Sequence, residues 1–468
     1  MSSAALAPYS RVLPLVIATA LFMENMDSSI IATSLPAMAQ DLATSPVALK
    51  LAFTSYLLSL TVFLPISAWV SDKFGPKQIF RLAIVVFTLA SLCCGAAPNL
   101  FWLVAARAVQ GLGGAMMAPV GRIILLRSVP KADLVNALAW LTFPALIGPL
   151  LGPPIGGFIT TYFSWHWIFW MHLPIGILGL VLTTILMPEQ PKLPVAALDL
   201  KGFILSGLGL SLTVFGFTIL GRGLFSWPET LGVVVIGLLL VLAYVLHALN
   251  VEHPILDLRL LKHETLRVSL EGGFYYRMAA GALPFLMPLL LQIVFHATPF
   301  QSGLMTCATA AGAMSMKFMT SRVLRTYGFK QLFLVNGVIS CLFIAACAMF
   351  TDATPAAIIF LTLLFGGFSR SLQFTSLNSI AYADIPNADI SRANSLYTVN
   401  QQLSMAMGVA FAAFVLDGSV WWRGGDELTH ADFAITFVVI AVLGLFALPS
   451  FYGLKANAGS AMSGHMQR

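Results

Sequence analysis

The chain is short of charge. Only 9% of its 468 residues are charged, against 58% hydrophobic ones, and its mean hydropathy is +0.88. A water-soluble domain carries about a quarter charged residues, so this composition excludes a soluble fold of such length. The five cysteines (Cys93, Cys94, Cys307, Cys341 and Cys347) all lie in apolar runs, without metal-type spacing. That excludes a disulfide-stapled scaffold and reads them as small buried side chains. There is no Gly-x4-Gly-Lys-Ser/Thr loop, no His-Glu-x-x-His pair and no Gly-x-Ser-x-Gly elbow. Nucleotide-driven, zinc-dependent and serine-hydrolase chemistries therefore have no signature, and the chain does not read as an enzyme. His166 and His172 stand without ligand spacing and read as structural. The net charge of +6 is no nucleic-acid footprint, because the basic residues come in ones, twos and threes between apolar runs.

What the chain has is long apolar runs. Segments of roughly 19–29 residues recur, each able to cross a ~30 Å hydrocarbon core. They start near Arg11, Val47, Ile79, Phe101, Val135, Trp167, Gly202, Thr230, Val268, Ser302, Leu332, Pro355, Ser395 and Phe433. The expected fold is an all-α integral membrane protein with fourteen transmembrane helices. The first run, about Val12 to Leu35, is too long for a signal peptide and contains Glu24 and Asp27, so it is read as a retained span.

Loop charge orients the chain. With the N-terminus inside, nineteen of the 25 Lys and Arg fall on cytoplasmic flanks. Lys50, Arg222 and Arg423 fall outside, and Arg107, Arg277 and Arg370 fall within spans. A wrong span count would scramble that alternation, so both termini are expected in the cytoplasm. Trp165, Trp167 and Trp170, with Trp421 and Trp422, read as anchors at the outer interface.

A weak internal repeat divides the chain. The segments 70–77 and 323–330 each carry an aromatic residue, then a glycine (Gly75, Gly328), then a lysine two positions later (Lys77, Lys330). Both read as short cytoplasmic loops between the second and third spans of a six-span block. The expected division is residues 1–187 as one six-helix bundle, 188–267 as a linker with two additional helices, and 268–468 as a second six-helix bundle. The Pro-rich, polar segment Met187 to Asp199 opens the linker.

Several polar constellations sit inside these runs. Glu24 and Asp27, three apart, share one helical face, ~20 and ~24 Å from the inner end by helix rise. Arg107 lies ~10 Å in from the outer end of span 4, where a charge is costly and defaults to function. It is the natural partner of the span-1 carboxylates. Burial and a neighbouring cation pull the proton affinity of a carboxylate in opposite directions, so such a group can exchange protons as a cavity changes sides. A structural ion pair that never titrates is the alternative. Asp72 can complement the positive N-terminus of span 13 near Ser391 and Asn394. With Gly75 and Lys77 it would hold the cytoplasmic side closed; the alternative is an ordinary polar turn. Gly148, Gly152 and Gly156, with Gly157 and Pro153, make a smooth face in span 5 that admits another helix closely. Asn25, Gln110, Tyr275, Tyr276, Arg277, Arg370, Gln373, Asn400 and Gln401 are polar groups that lipid would not welcome, and they are candidates for a substrate cavity. For the Tyr275–Arg277 cluster, an interfacial position with Arg277 reaching inward is the alternative.

These residues resemble the major facilitator superfamily, in its fourteen-span drug:proton antiporter branch (EmrB/QacA-like). The loop at Asp72 is similar to the family's cytoplasmic loop motif, with Ala68 and Pro76 as departures. Arg107-x-x-Gln110-Gly111 resembles its span-4 motif, and Gly148-x-x-x-Gly152-Pro153-x-x-Gly156-Gly157 its antiporter motif. Asp27-Ser28-Ser29-Ile30-Ile31 through Leu35-Pro36 resembles the branch's span-1 motif, with Ala32 and Glu24 as departures. The segment Pro254 to Leu260 is similar to the one before span 9.

The resemblance implies a major facilitator fold in an inner membrane. It implies export of small molecules driven by protons, with the proton gradient as energy source and no cofactor or metal. Proton coupling would fall to Asp27, Glu24 and Arg107. Lipophilic or cationic drugs are the branch's usual cargo. Export of an anionic siderophore or organic acid, import by a facilitator mechanism, and a non-transporting sensor stay open as alternatives. The expected partners are the substrate, protons and the lipid bilayer. No nucleic acid is expected, and a periplasmic adaptor has no signature in the sequence and stays open.

Overall fold

An apolar segment in lipid must satisfy its backbone internally, because no water is present to take an unpaired N–H or C=O. The computed structural model, which describes residues 9–44, 46–219, 227–297, 299–424 and 428–465, follows that requirement: among the described residues all regular structure is helical. In chain order the helices are α1 (Tyr9–Asp41), α2 (Pro46–Phe63), α3 (Ser67–Phe74), α4 (Pro76–Gly95), α5 (Leu100–Ser128), α6 (Leu134–Tyr162), α7 (Trp167–Trp170), α8 (His172–Leu186) and α9 (Leu200–Ile219). They continue with α10 (Trp227–Asn250), α11 (Glu264–Leu289), α12 (Pro299–Lys317), α13 (Thr320–Ala346), α14 (Ala356–Ile380), α15 (Ile390–Arg423), α16 (His430–Leu445), α17 (Leu448–Tyr452) and α18 (Ser460–Ser463). Among the described residues, nine stretches are long and apolar enough to cross a membrane, or ten if the bent pair α2–α3 is one span.

Local sequence sets the breaks. Pro65, which has no N–H to continue the ladder, stands between α2 and α3, whose axes differ by 58°. Asn99 caps α5, its side chain accepting from the Trp102 N–H at 3.2 Å, and Thr429 with Asp432 forms a capping box on α16. The two repeated segments are tighter than the loops read from sequence. α3 runs to Phe74 and α4 begins at Pro76, leaving Gly75 alone at φ +98°. The second segment is helical on both sides of Gly328, at φ +69°. The expected loop 323–330 is thus corrected to a one-residue break. Only glycine enters that backbone region without steric cost.

Packing repeats too. α1 lies against α6 and α8, α2 against α5, and α4 against α5 and α8; α11 lies against α15 and α16, α12 against α14, and α13 against α14 and α16. α9 and α10 pack on each other, and α9 bridges α2 and α15. Contact pairs recur in register. Gly114 meets the Tyr56 side chain and Gly367 meets Thr309, related by the same shift in numbering as Gly75 and Gly328. The outer surface is apolar, as lipid contact requires, with Ile185, Leu239, Leu246 and Phe446 exposed. Trp421 and Trp422 are exposed, as interfacial anchors should be. Trp165 is not such an anchor: it is buried, and its Nε1 donates to Asp41 Oδ2 at 2.9 Å.

Candidate functional site

Polar side chains at membrane depth must find one another, and those of α1, α4 and α5 do. Arg107 Nη1 donates to Asp27 Oδ2 at 2.6 Å and to Gln110 Oε1 at 2.5 Å. Gln110 Nε2 donates to Asp27 Oδ1 at 3.0 Å and to Ser91 Oγ at 2.6 Å. The Arg107 guanidinium lies 4.4 Å over the Tyr56 ring, and its Nε reaches the Ala52 carbonyl at 3.4 Å. Asp27, Arg107 and Gln110 all have 0% exposure. The pairing expected from the sequence is therefore present, and Arg107 does not reach back to the outer surface. Gln110 joins this network rather than an open cavity. Glu24 stands one turn away, and its Oε2 is buried with no hydrogen-bond partner among the described residues. Asn25 Nδ2 bonds back to the Leu21 carbonyl at 2.7 Å.

The glycine face of α6 does what its smoothness allows. A Cβ added to Gly148 would lie 2.9 Å from the backbone nitrogen of Met26 and 3.2 Å from the Asn25 carbonyl carbon. The α1 backbone that carries Asp27 is thus seated directly on Gly148. Gly152 and Gly156 are buried on the same helix. Pro153 and Gly157 continue it, and their surroundings lie outside the described residues.

A second cluster ties α3 and α5 to α15. Asp72 Oδ1 accepts from Arg127 Nη2 at 2.8 Å and from Ser391 Oγ at 2.9 Å, and Arg127 Nη2 also reaches Ser391 Oγ at 2.8 Å. Asn394 Nδ2 donates to the Pro119 carbonyl at 3.0 Å and accepts from Tyr382 Oη at 3.0 Å. Lys131 Nζ donates to the Ala383 carbonyl at 2.7 Å. Ser391 meets Asp72 by a side-chain bond within the first turn of α15, not as its N-cap. Lys77 pairs with Glu189 at 3.4 Å. Beside it, Leu193 N–H donates to the Asp72 carbonyl at 2.9 Å, and the Lys192 side chain packs on Gly75. The segment after α8 is therefore strapped along this junction.

The second half of the chain divides its polar residues. Arg277 Nη1 donates to Asn400 Oδ1 at 3.0 Å, and Gln401 Oε1 is buried without a partner among the described residues. Tyr276 Oη shares a hydrogen bond with Ser340 Oγ at 2.7 Å. Gln373 accepts from Asn336 Nδ2 at 2.8 Å and serves a helix–helix contact. Arg370 lines a separate small cavity with Leu283, Ser340, Phe343, Cys347 and Gly366. Tyr275 turns away from all of these, 40% exposed and beside Phe446. Among the described residues these side chains fall into several contacts, with Tyr276 reaching the Arg370 cavity through Ser340. Among the described residues no group of His, Cys, Asp or Glu could hold a metal ion.

The family model of the Major Facilitator Superfamily matches residues 17–251 and 270–461. The chain belongs to the major facilitator superfamily. It is 36% identical over 443 residues to "Putative multidrug resistance protein MdtD" of Escherichia coli O6:H1, covering 93% of this chain and 92% of that protein. A protein of the same name from Shigella boydii serotype 18 is similar to the same extent. Among solved structures, the human organic anion transporter MFSD10 superposes with a TM-score of 0.68 at 15% identity, over 94% of this chain and 99% of that one. The proton:xylose symporter XylE does so with a TM-score of 0.68 at 14% identity, over 98% of each. Both establish the fold: an all-helical, multi-pass membrane protein of the facilitator type.

Within this facilitator chain, several residues of the clusters were not singled out from sequence. Arg122 and Arg127 read only as cytoplasmic flank charges. Tyr56 and Ser91 sit in apolar runs where single Ser or Tyr residues are common, so nothing marked them. Lys317 is buried and donates to Thr375 Oγ1 at 2.5 Å. Its place at the end of an apolar run made it look like a flank charge too.

Proposed function

We propose that this chain is a proton-coupled secondary exporter of small molecules, working by alternating access in multidrug efflux. The observation that carries the reading is the Asp27–Arg107 pair, a carboxylate and a guanidinium with no solvent exposure held at membrane depth. Burying such a pair is costly, so one held at membrane depth defaults to a functional reading. Protonating Asp27 would release Arg107 and loosen the α1–α5 contact. The name carried by relatives at 36% identity supports efflux of drugs as the task.

The junction of Asp72, Arg127 and Ser391 fits the closed gate of such a cycle. It joins α3 and α5 to α15, and so would part when two bundles rock. In this reading residues 1–187 and 268–468 form the bundles, and 188–267 adds α9 and α10. The ten apolar spans, with α1, α6, α9 and α12 as the remaining helices of 19 residues or more, make fourteen. The loop-charge bias supports both termini lying in the cytoplasm of a cell whose inner membrane would hold the protein.

Everted vesicles containing the protein test this directly. They should accumulate cationic dyes, antibiotics or carboxylate metallophores when acidified inside, and addition of substrate should dissipate the pH gradient. Substrate moving down the proton gradient instead would identify an importer, and no coupling with any compound would remove the proton from the mechanism.

A further inference from the structure

Two arginines lie just past the α3–α5–α15 junction with no carboxylate among the described residues to balance them. On α15, Ser391 and Asn394 make the junction, and Tyr397 and Thr398 follow one turn on along the same face. Tyr397 is flanked by two guanidinium groups: Arg277 of α11 at 4.6 Å from the ring centroid and Arg122 of α5 at 5.3 Å. Arg277 has 0% exposure. It stacks over Gly273, where a Cβ would lie 2.8 Å from Nη1. Its Nη1 donates to Asn400, but Nε and Nη2 are buried without any partner among the described residues. Arg122 Nη1 reaches Thr398 Oγ1 at 3.3 Å, and its Nε is likewise buried and unpartnered. Among the described residues no Asp or Glu is within ion-pair distance of either arginine, although Arg107, Arg127, Arg259, Arg392 and Arg423 each have one.

A buried cation without a counter-charge is costly, and Arg277 is fully buried while the partly exposed Arg122 crowds the same ring. Cation–π contact and single neutral acceptors offset only part of that. An arginine fork is suited to a carboxylate or phosphate, which it grips through two parallel N–H donors. Among the described residues nothing of that kind is supplied. The contrast with the first bundle is direct: by the numbering shift that relates Gly75 to Gly328, Arg277 takes the place on α11 that Glu24 takes on α1.

We propose that Arg122 and Arg277 together bind the acid group of the exported compound, a carboxylate in the first instance, when the junction opens. The proposal rests on the export reading for its setting. Parting Asp72 from Ser391 and Asn394 from Pro119 would separate α5 from α15 and leave the two guanidinium groups facing the opening. The anion would then replace Thr398 and Asn400 as their partner.

The test uses the full-length protein in detergent, with fluorescein as the carboxylate probe and ethidium as the cationic one, followed by transport of both dyes in everted vesicles. Anisotropy should show fluorescein binding that weakens as salt is raised. Arg277→Gln and Arg122→Gln should each weaken it about tenfold or more, with ethidium unaffected. Arg277→Lys and Arg122→Lys should retain part of the binding, which guards against loss by misfolding. Equal loss of both dyes in the Gln variants, with the Lys variants also inactive, would make the arginines structural and overturn the site. Ethidium export without any binding of fluorescein would overturn the anion site and leave the export reading intact. Fluorescein binding with no proton-driven movement of either dye would do the reverse.

Discussion

Asp27 on α1 and Arg107 on α5 face each other at 2.6 Å with neither side chain reaching solvent. Gln110 holds the second carboxylate oxygen of Asp27 and also contacts Arg107. The carboxylate is therefore bound on both oxygens to one helix, and its charge is part of how α1 and α5 pack.

Replacing Asp27 by Asn keeps the shape and removes that charge. Arg107 would then be buried opposite a neutral amide, which costs about 3–5 kcal/mol. The expected result is a lower melting temperature in detergent, normal membrane insertion, and loss of proton-coupled efflux in everted vesicles. Efflux at the wild-type rate would show that Asp27 plays no part in coupling.

Glu24 should behave oppositely in stability. Its Oε2 has no hydrogen-bond partner and its carboxyl group no ion pair among the described residues, so Gln keeps the shape without breaking a pair. Stability should be unchanged or rise by on the order of 1 kcal/mol. Efflux should fall selectively for cationic compounds if Glu24 reads substrate charge, and for all compounds alike if it carries a proton. A melting temperature as depressed as that of Asp27→Asn would reveal a bond at Glu24 that this conformation does not show.

The site was only partly legible in the sequence, and the pattern has physical causes. A charge within an apolar run is conspicuous because lipid makes it costly, so Asp27, Glu24 and Arg107 stood out. The Asp72–Ser391 contact was one of two readings, because a carboxylate beside a glycine can complement a helix start but serves equally in an ordinary polar turn. Arg122 and Arg127 were hidden by their surroundings: at the end of a helix, a basic residue that serves a junction looks the same as one that faces lipid headgroups. Tyr275 and Tyr276 are adjacent, so on a helix they point about 100° apart. Only one of them could share the buried side with Arg277.

The α3–α15 junction can be locked. Asp72 Oδ1 and Ser391 Oγ are 2.9 Å apart, so the two side chains point at each other, as the partners of a disulfide must. The five native cysteines are free thiols and can first be changed to Ser or Ala. In that background, Asp72→Cys with Ser391→Cys should form a disulfide under mild oxidation and stop efflux. Dithiothreitol should return efflux to the level of the same variant before oxidation. Cross-linked protein that still transports would mean this junction does not open during the cycle.

The last prediction concerns Gly148, where two requirements meet. α1, which carries Asp27, packs against α6, and at Gly148 the two backbones approach closely. A Cβ there would sit 2.9 Å from the Met26 nitrogen, one residue before Asp27. A leucine must push the α1 backbone away, and small-to-large changes at packed positions cost about 1–3 kcal/mol. The push should also lengthen the Asp27–Arg107 contact, so Gly148→Leu should lose coupling beyond what its lower stability explains. Gly148→Ala adds only the Cβ and should fall between the two. Measuring melting temperature and the efflux-driven pH change on the same three preparations separates the effects. Coupling that tracks stability alone would confine Gly148 to packing, whereas coupling lost in the alanine variant at near-normal stability would tie the α1–α6 seat to the ion pair.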